Sequence, residues 1–131
     1  EASHLAQFLS DIDKLDIKGE KEIVFVDDCS KDSSWDILTG FKFESKVIME
    51  RQSINQGKGA ALRRGFEIAT GDIIGVQDAD FEYSLDDIPA ILEPLFHGKA
   101  DIVFGSRFKK NGNQVHRTFH YLVNRILTIL S

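Results

Sequence analysis

The sequence has little of several residue types, and each shortage excludes a class of protein. It holds a single cysteine, Cys29, so no disulfide can form within the chain and a reducing compartment is favoured. Its 21 acidic residues outnumber its 16 basic ones, and the net charge of −5 disfavours non-specific nucleic-acid binding. No run reaches the roughly 18 apolar residues of a membrane-spanning helix, and the first residues lack a basic signal-peptide region. We therefore expect a cytoplasmic protein.

What is present suits one globular domain of 131 residues, with 42% hydrophobic and 28% charged residues. Apolar periodicity predicts alternating helices and strands. Helices are expected over 3–15, around 35–38, over 58–70, from Ser84 to a stop at Gly98, and over 115–131, which is amphipathic. Strands are expected over 22–26, 46–50, 72–76 and 101–104. The strands lack polar alternation, as buried parallel strands do, so we predict an α/β fold with a mostly parallel sheet flanked by helices.

Polar side chains follow three of these strands. Asp27 and Asp28 end the first, Asp78 and Asp80 follow the third, and Arg107 follows the fourth. Parallel sheets bind ligands beyond the carboxyl ends of their strands, so these groups are expected along one edge. Clustered carboxylates repel one another, and a divalent cation carried in with a diphosphate would relieve that cost.

Plainer interpretations of the same residues remain open. Asp78 and Asp80 could be solvated side chains in a turn. Asp27 and Asp28 could cap the helix that follows them, and Arg107 could pair with a nearby aspartate.

The loop Asn55-Gln56-Gly57-Lys58-Gly59 opens a predicted helix. Its glycines let backbone N–H groups approach an anion, and Lys58 adds positive charge at the helix N-terminus. It is neither a Walker A loop nor a dinucleotide fingerprint, because Leu62 stands where the third glycine of the fingerprint belongs. A flexible glycine turn is the alternative.

Other catalytic chemistry finds little support. His116 and His120 are spaced by four residues but have no glutamate between them as a zincin requires, and the other histidines are isolated. Cys29 has no partner histidine and is expected to be a turn residue. Ser30 lacks the G-x-S-x-G context of a hydrolase nucleophile.

Taken in order, these segments resemble the GT-A glycosyltransferases of family 2, and in particular the dolichyl-phosphate mannose synthase-like branch. The matching segments are V-D-D-C-S-K-D-S from Val26, N-Q-G-K-G-A-A from Asn55, A-T-G-D from Ala69, D-A-D-F-E from Asp78 with D-D-I-P from Asp86, and D-I-V-F-G-S-R from Asp101. Cys29 stands where the family usually has glycine.

The resemblance implies a GT-A (Rossmann-like) fold and a donor site. It implies that Asp28 contacts the nucleotide base, that Asp78 lies by the ribose and diphosphate, and that Asp80 holds Mg²⁺ or Mn²⁺. The other expected donor-site residues are Lys58, Gly59 and Arg107. The reaction would be transfer of a hexose from a UDP- or GDP-sugar to a polyprenyl phosphate or glycan, at the inner face of a membrane. No residue is assigned as the catalytic base. A sugar-nucleotide pyrophosphorylase and a non-catalytic interaction module are the alternatives.

Two departures from the family pattern bear on these expectations. The family's first strand ends in P-x-Y-N-E, and this sequence begins at the glutamate of that motif; the family's acceptor-binding region is absent as well. We therefore expect residues 1–131 to be the nucleotide-sugar-binding part of an incomplete GT-A domain, inactive alone. An incomplete sheet exposes strand edges, which predicts a homodimer, a swapped strand or low stability. The terminal helix could pack on its own domain or lie at a lipid surface.

Overall fold

A computed structural model describes residues 2–79 and 84–105 of the chain. The helices and strands alternate along it. They are α1 (Ala2–Lys14), β1 (Glu22–Asp27), α2 (Ser34–Gly40), β2 (Lys46–Arg51), α3 (Lys58–Ile68), a single 3₁₀ turn (Leu85–Asp87) and α4 (Ile88–Phe96). Each agrees with the helix or strand that the apolar periodicity predicts, to within a few residues at each end.

The two strands form a parallel sheet. Their register runs from Glu22 opposite Lys46 to Asp27 opposite Arg51, so both strands begin and end together. The helix α2 connects them, as parallel neighbours require. The predicted α/β class with a parallel sheet is therefore confirmed.

Helices cover both faces of this sheet. On one face, Phe25 and Met49 pack against a core formed by Phe8 and Leu9 of α1 and Leu38 of α2. Successive strand residues point to opposite faces, so the neighbour of Phe25 in β1, Val26, faces the other way. On that face Val26 meets α3: a Cβ atom added at Gly65 of α3 would lie 3.7 Å from Cγ2 of Val26.

Polar contacts tie the end of α1 to the sheet. The Asp13 carboxylate accepts hydrogen bonds from the backbone N–H groups of Glu44 (2.9 Å) and Ser45 (3.0 Å), just before β2 begins. Burial raises the pKa of Asp13, but these bonds outweigh burial and hold the pKa below its ordinary value. The Lys21 ammonium donates to the carbonyl oxygens of residues 12 and 13, in the last turn of α1, and of residue 15 just after it.

Two of the predicted strands do not form. Residues 72–76 and 101–104 are irregular, and their large apolar side chains are exposed. These side chains are Ile73, Ile74, Val76, Ile102 and Phe104. A strand needs a neighbour for its backbone N–H and C=O groups, and in the described residues no strand lies beside β1 on the edge opposite β2. In the described residues, the two runs therefore lie without a paired strand beside them.

The predicted start and stop of α4 are both confirmed. The Ser84 hydroxyl accepts a hydrogen bond from Asp86 N at 3.2 Å, and Gly98 ends the helix with a φ of +61°. The bond reaches residue 86 because the segment opens as a 3₁₀ turn. The predicted helix over 115–131, with His116 and His120, lies outside the described residues. Within residues 2–79 and 84–105, no helix is long and apolar enough to cross a membrane.

Candidate functional site

The turn that follows β1 is held by a nearly buried carboxylate. The Asp27 side chain is 8% exposed, and Arg51, its partner in the sheet register, lies 3.0 Å away through Nε. Both oxygens of Asp27 also accept from Ser30 N, at 3.2 and 3.3 Å. The guanidinium donates through a second nitrogen to the Ser30 carbonyl at 2.9 Å. The turn is therefore closed at the end of the sheet.

Cys29 lies in this turn, and its role there is to adopt a backbone conformation that the turn requires. Its φ of +62° is in the left-handed region that favours glycine, which explains the glycine usual at this point of the family motif. Its sulfur lies 3.7 Å from the Ser53 carbonyl oxygen. The prediction that Cys29 is a turn residue is confirmed.

Asp28 points from this turn to the loop that precedes α3. Its carboxylate accepts from Gln56 N at 2.8 Å and from Gly57 N at 2.6 Å. The Asn55 side chain in turn donates to the Asp28 carbonyl at 3.0 Å. The carboxylate thus satisfies backbone donors at the positive end of α3.

The interpretation of Asp27 and Asp28 as caps of α2 is wrong. The residue before that helix, Ser33, makes no capping bond through its side chain, and the Ser34 N–H is bound instead by Asp32 at 3.0 Å. Both earlier aspartates are engaged elsewhere, because the turn between Asp27 and Ser30 directs them towards Arg51 and α3.

Two residues that the sequence predicts for the site, from different segments of the chain, form an ion pair. Lys58, the first residue of α3, lies 2.6 Å from Asp78 through its Nζ and Oδ2 atoms. Their side chains are 66% and 36% exposed, so solvent reaches both. Gly59 follows Lys58 in the first turn of α3.

Contacts therefore run continuously from Asp28 through Gly57 and Lys58 to Asp78, beyond the carboxyl ends of the strands. This edge combines carboxylate oxygens, an ammonium and a helix N-terminus, which suits a ligand with both hydroxyl and phosphate groups. We call Asp28, residues 55–59 and Asp78 the donor edge, after the donor site that the sequence resemblance predicts there. Asp80 and Arg107, the other predicted site residues, lie outside the described residues.

The described part of the donor edge does not make a metal site by itself. No three Asp, Glu, His or Cys side chains converge as a ligand set anywhere in residues 2–79 and 84–105. The carboxylate of Asp78 is engaged by Lys58, and that of Asp28 by two backbone amides. The metal prediction therefore rests on Asp80.

A cavity of about 160 Å³ lies elsewhere, between the chain that follows α1 and the helix α4. Its lining includes Ile17, Lys18, Pro89 and Phe96, and no residue of the donor edge. The predicted ligand site is thus a surface edge rather than this cavity.

Arg51 is the polar residue of this region that the sequence prediction passed over. In the sequence, Arg51 has the position of an exposed residue at the end of a predicted strand, and no motif surrounds it. The available signal was the register: two parallel strands of equal length place Arg51 opposite Asp27.

The fold defines an α/β protein in which polar residues gather beyond the carboxyl ends of two parallel strands. Residues 1–130 match the family model described as glycosyl transferase family 2, and the chain belongs to this family. The fold is that expected of an incomplete GT-A domain.

Similar proteins agree with this assignment. The chain is 33% identical over 120 residues to a dolichol-phosphate mannosyltransferase of Pyrococcus furiosus, a match covering 92% of the chain and 34% of that protein. An uncharacterized protein of Methanocaldococcus jannaschii is 32% identical over the whole chain and 58% of its own length. An undecaprenyl-phosphate 4-deoxy-4-formamido-L-arabinose transferase of Aeromonas hydrophila is 29% identical, covering 79% of the chain and 32% of that enzyme. The chain thus spans about a third to three fifths of the length of these relatives. No solved structure matches significantly.

Proposed function

We propose that the chain binds the nucleotide-sugar donor of a glycosyltransferase that moves a hexose from UDP or GDP to a polyprenyl phosphate or a glycan. The observation that carries this proposal is the run of contacts from Asp28 through Gly57 and Lys58 to Asp78. Family membership supports it, as do relatives named as transferases that use dolichol phosphate and undecaprenyl phosphate.

The bonding of Asp28 is compatible with base recognition. Oδ1 accepts from Gln56 N and also lies 2.9 Å from the side-chain amide of Gln52, whereas Oδ2 accepts from Gly57 N and has a second lone pair. An N–H group of a uracil or guanine base could therefore bind Asp28 while the loop stays in place. This arrangement gives the carboxylate two roles, ordering the loop and contacting the base.

The diphosphate would lie between Lys58 and the N-terminus of α3. Lys58 is already held at the edge by Asp78, so little side-chain freedom is lost when an anion arrives. The proposal assigns Gly59 to the same position, where the absence of a side chain leaves the first backbone N–H groups of the helix accessible. Asp78 would accept from the ribose hydroxyls, and Arg107 would add a second cation for the phosphates.

The proposal includes Mg²⁺ or Mn²⁺, with Asp80 as the expected protein ligand. A divalent cation bound there would neutralise the charge that develops on the leaving diphosphate. The residues of the donor edge would position the donor and exclude alternative orientations of its phosphates.

Calorimetric titration of the full chain with UDP and GDP tests the proposal. Each titration is run with Mn²⁺ and with EDTA. We expect one nucleotide to bind and EDTA to weaken its binding. Asp78→Asn should weaken binding by about 10- to 100-fold, the size of one lost charge-assisted hydrogen bond.

The matched control for this titration is Asp11→Asn. Asp11 is an exposed residue of α1 that bonds Gln7, so its replacement removes the same charge far along the chain from the donor edge. Absence of binding by either nucleotide, or equal binding by the two variants, would contradict the proposal.

A polyprenyl-phosphate acceptor would place the reaction at the cytoplasmic face of a membrane. With the intact enzyme, transfer of labelled hexose to undecaprenyl or dolichyl phosphate in liposomes, with a glycan acceptor in parallel, distinguishes the two acceptor classes. Release of pyrophosphate from UTP and a sugar 1-phosphate would instead indicate pyrophosphorylase chemistry.

The exposed apolar runs support the expectation of self-association. Ile102 and Phe104 are 72% and 87% exposed, and solvent contact of this kind favours burial against another surface. We propose a homodimer through this region. Light scattering with size-exclusion chromatography should give twice the monomer mass; a cooperatively unfolding monomer would contradict the proposed dimer.

A further inference from the structure

We propose that Arg51 is a positioning residue that sets the turn carrying Asp28, and through it the loop that receives the nucleotide. The inference rests on the proposed function and adds a residue to the site. Arg51 does not reach the donor edge itself; it acts through the residues on either side of Asp28.

The first step is the fixed geometry of the guanidinium. One nitrogen contacts the Asp27 carboxylate at 3.0 Å, and another donates to the Ser30 carbonyl at 2.9 Å. The guanidinium carbon lies 5.4 Å from the centre of the Trp35 ring, within the range of a cation–π contact. A planar group with two bonds and one ring contact has little freedom to move.

The second step is the closure of the turn. Ser30 is bound at both of its backbone groups, its N–H by Asp27 and its carbonyl by Arg51. Asp28 and Cys29 lie between these fixed points, and Cys29 has a φ of +62°. Without Arg51, the strained residue could relax towards negative φ and turn Asp28 away from α3.

The third step links the turn to the ligand. Asp28 holds the loop through Gln56 N and Gly57 N, next to Lys58. Loss of the turn geometry therefore releases the loop and loosens the first turn of α3. Arg51 would affect nucleotide affinity without touching the nucleotide.

The chain offers a matched control in Arg64. Its side chain is 41% exposed against 40% for Arg51, and it pairs with Glu50, the strand neighbour of Arg51, at 3.1 Å. Both arginines thus form an ion pair at β2, but the contacts of Arg64 are to Glu50 and Glu67 and do not involve the turn.

The experiment compares Arg51→Gln, Arg51→Lys and Arg64→Gln with the unchanged chain, at a temperature where all are folded. Residue-resolved hydrogen exchange follows the amides of Gln56 and Gly57, and calorimetry follows UDP and GDP. We expect Arg51→Gln to speed exchange and to weaken nucleotide binding, each by about 10-fold. Arg51→Lys keeps the charge but not the planar fork, so it should lie in between, while Arg64→Gln should change neither quantity.

Each other result overturns the inference. If Arg51→Gln lowers the melting temperature but leaves exchange and affinity unchanged, Arg51 has only a structural role. If Arg51→Gln does not fold, Arg51→Lys decides, and values equal to those of the unchanged chain refute the inference. If the unchanged chain binds neither nucleotide, the proposed function fails first, and faster exchange in Arg51→Gln would then make Arg51 a loop support only.

Discussion

Two regions of the molecule carry the same kind of apolar run and reach different structures. Residues 22–27 and 46–51 pair in parallel, and their inward side chains join the core of α1 and α2. Residues 72–76 and 101–104 are as rich in β-branched and aromatic residues, yet they stay irregular and exposed. We call the first the paired region and the second the unpaired region.

The difference teaches that composition alone does not make a strand. Ile23 is 6% exposed in the paired region, whereas Ile102 is 72% exposed in the unpaired region. What separates them is a neighbour that accepts and donates backbone hydrogen bonds. Stability should therefore be concentrated in the paired region, and variants matched across the two regions can test that.

The largest difference is expected between two apolar deletions. Leu9 is fully buried between α1 and α2, so Leu9→Ala should cost about 2–5 kcal/mol of the free energy of unfolding. Phe104 is 87% exposed in the single chain, so at protein concentrations below those at which the proposed dimer forms, Phe104→Ala should change this free energy by less than about 0.5 kcal/mol. Urea unfolding followed by Trp35 fluorescence measures both. Equal costs would mean that the unpaired region is buried in solution.

A smaller difference is expected between two ion pairs. Asp27→Asn removes a charge that is 8% exposed and bound to Arg51, and should cost about 1–3 kcal/mol. Asp78→Asn removes the ion-pair partner of Lys58. Because the Asp78 side chain is 36% exposed, its loss should cost under about 1 kcal/mol of the free energy of unfolding. Both are measured by urea unfolding without nucleotide. A larger cost for Asp78 would show that the donor edge also stabilises the fold.

The sequence predicts the paired region well because its signals are local. Apolar periodicity places the helices, and the run from Glu22 to Asp27 needs only the next strand, Lys46–Arg51, to pair. It also places Asp28 beyond the carboxyl end of β1, where parallel sheets bind ligands. Asp78 reaches the same edge through Lys58, without the strand that was predicted to carry it.

What the sequence does not predict depends on distant partners. The strands expected over 72–76 and 101–104 require a neighbour that periodicity cannot supply. The role of Arg51 depends on the register with Asp27, and the engagement of Asp28 by Gln56 and Gly57 depends on how a loop folds back. Such contacts are set by tertiary structure, which local propensity does not encode.

The ends of two helices give a further matched test. Gly98 ends α4 with a φ of +61°, a conformation that alanine adopts only under strain, so Gly98→Ala should cost about 1 kcal/mol. Gly40 ends α2 with a negative φ and open space around it, so Gly40→Ala should be neutral or slightly stabilising. Thermal unfolding compares the two, and a neutral Gly98→Ala would mean that the end of α4 frays.

The smallest effect concerns pH and the boundary between the two regions. Glu22 begins the paired region; Lys46 bonds to its carboxylate, and Thr70, just before the unpaired region, donates to it through N and Oγ1 at 2.8 Å each. These bonds, that of Lys46 first, lower the pKa of Glu22 from 4.5 to about 2. A lowered acid pKa stabilises the fold fully above pH 4.5, and this contribution is lost as the pH falls towards 2.

Glu22→Gln should therefore reduce the loss of stability between pH 4.5 and about 2 relative to the unchanged chain, when both are unfolded with urea across that range. Some acid sensitivity should remain, because the pKa of Asp13 is also lowered. Thr70→Val removes only the hydroxyl donor, so in that variant the pKa of Glu22, followed by NMR titration, should rise part of the way to its ordinary value. If Glu22→Gln and the unchanged chain lose stability in parallel, the contacts of Glu22 with Lys46 and Thr70 do not persist in solution.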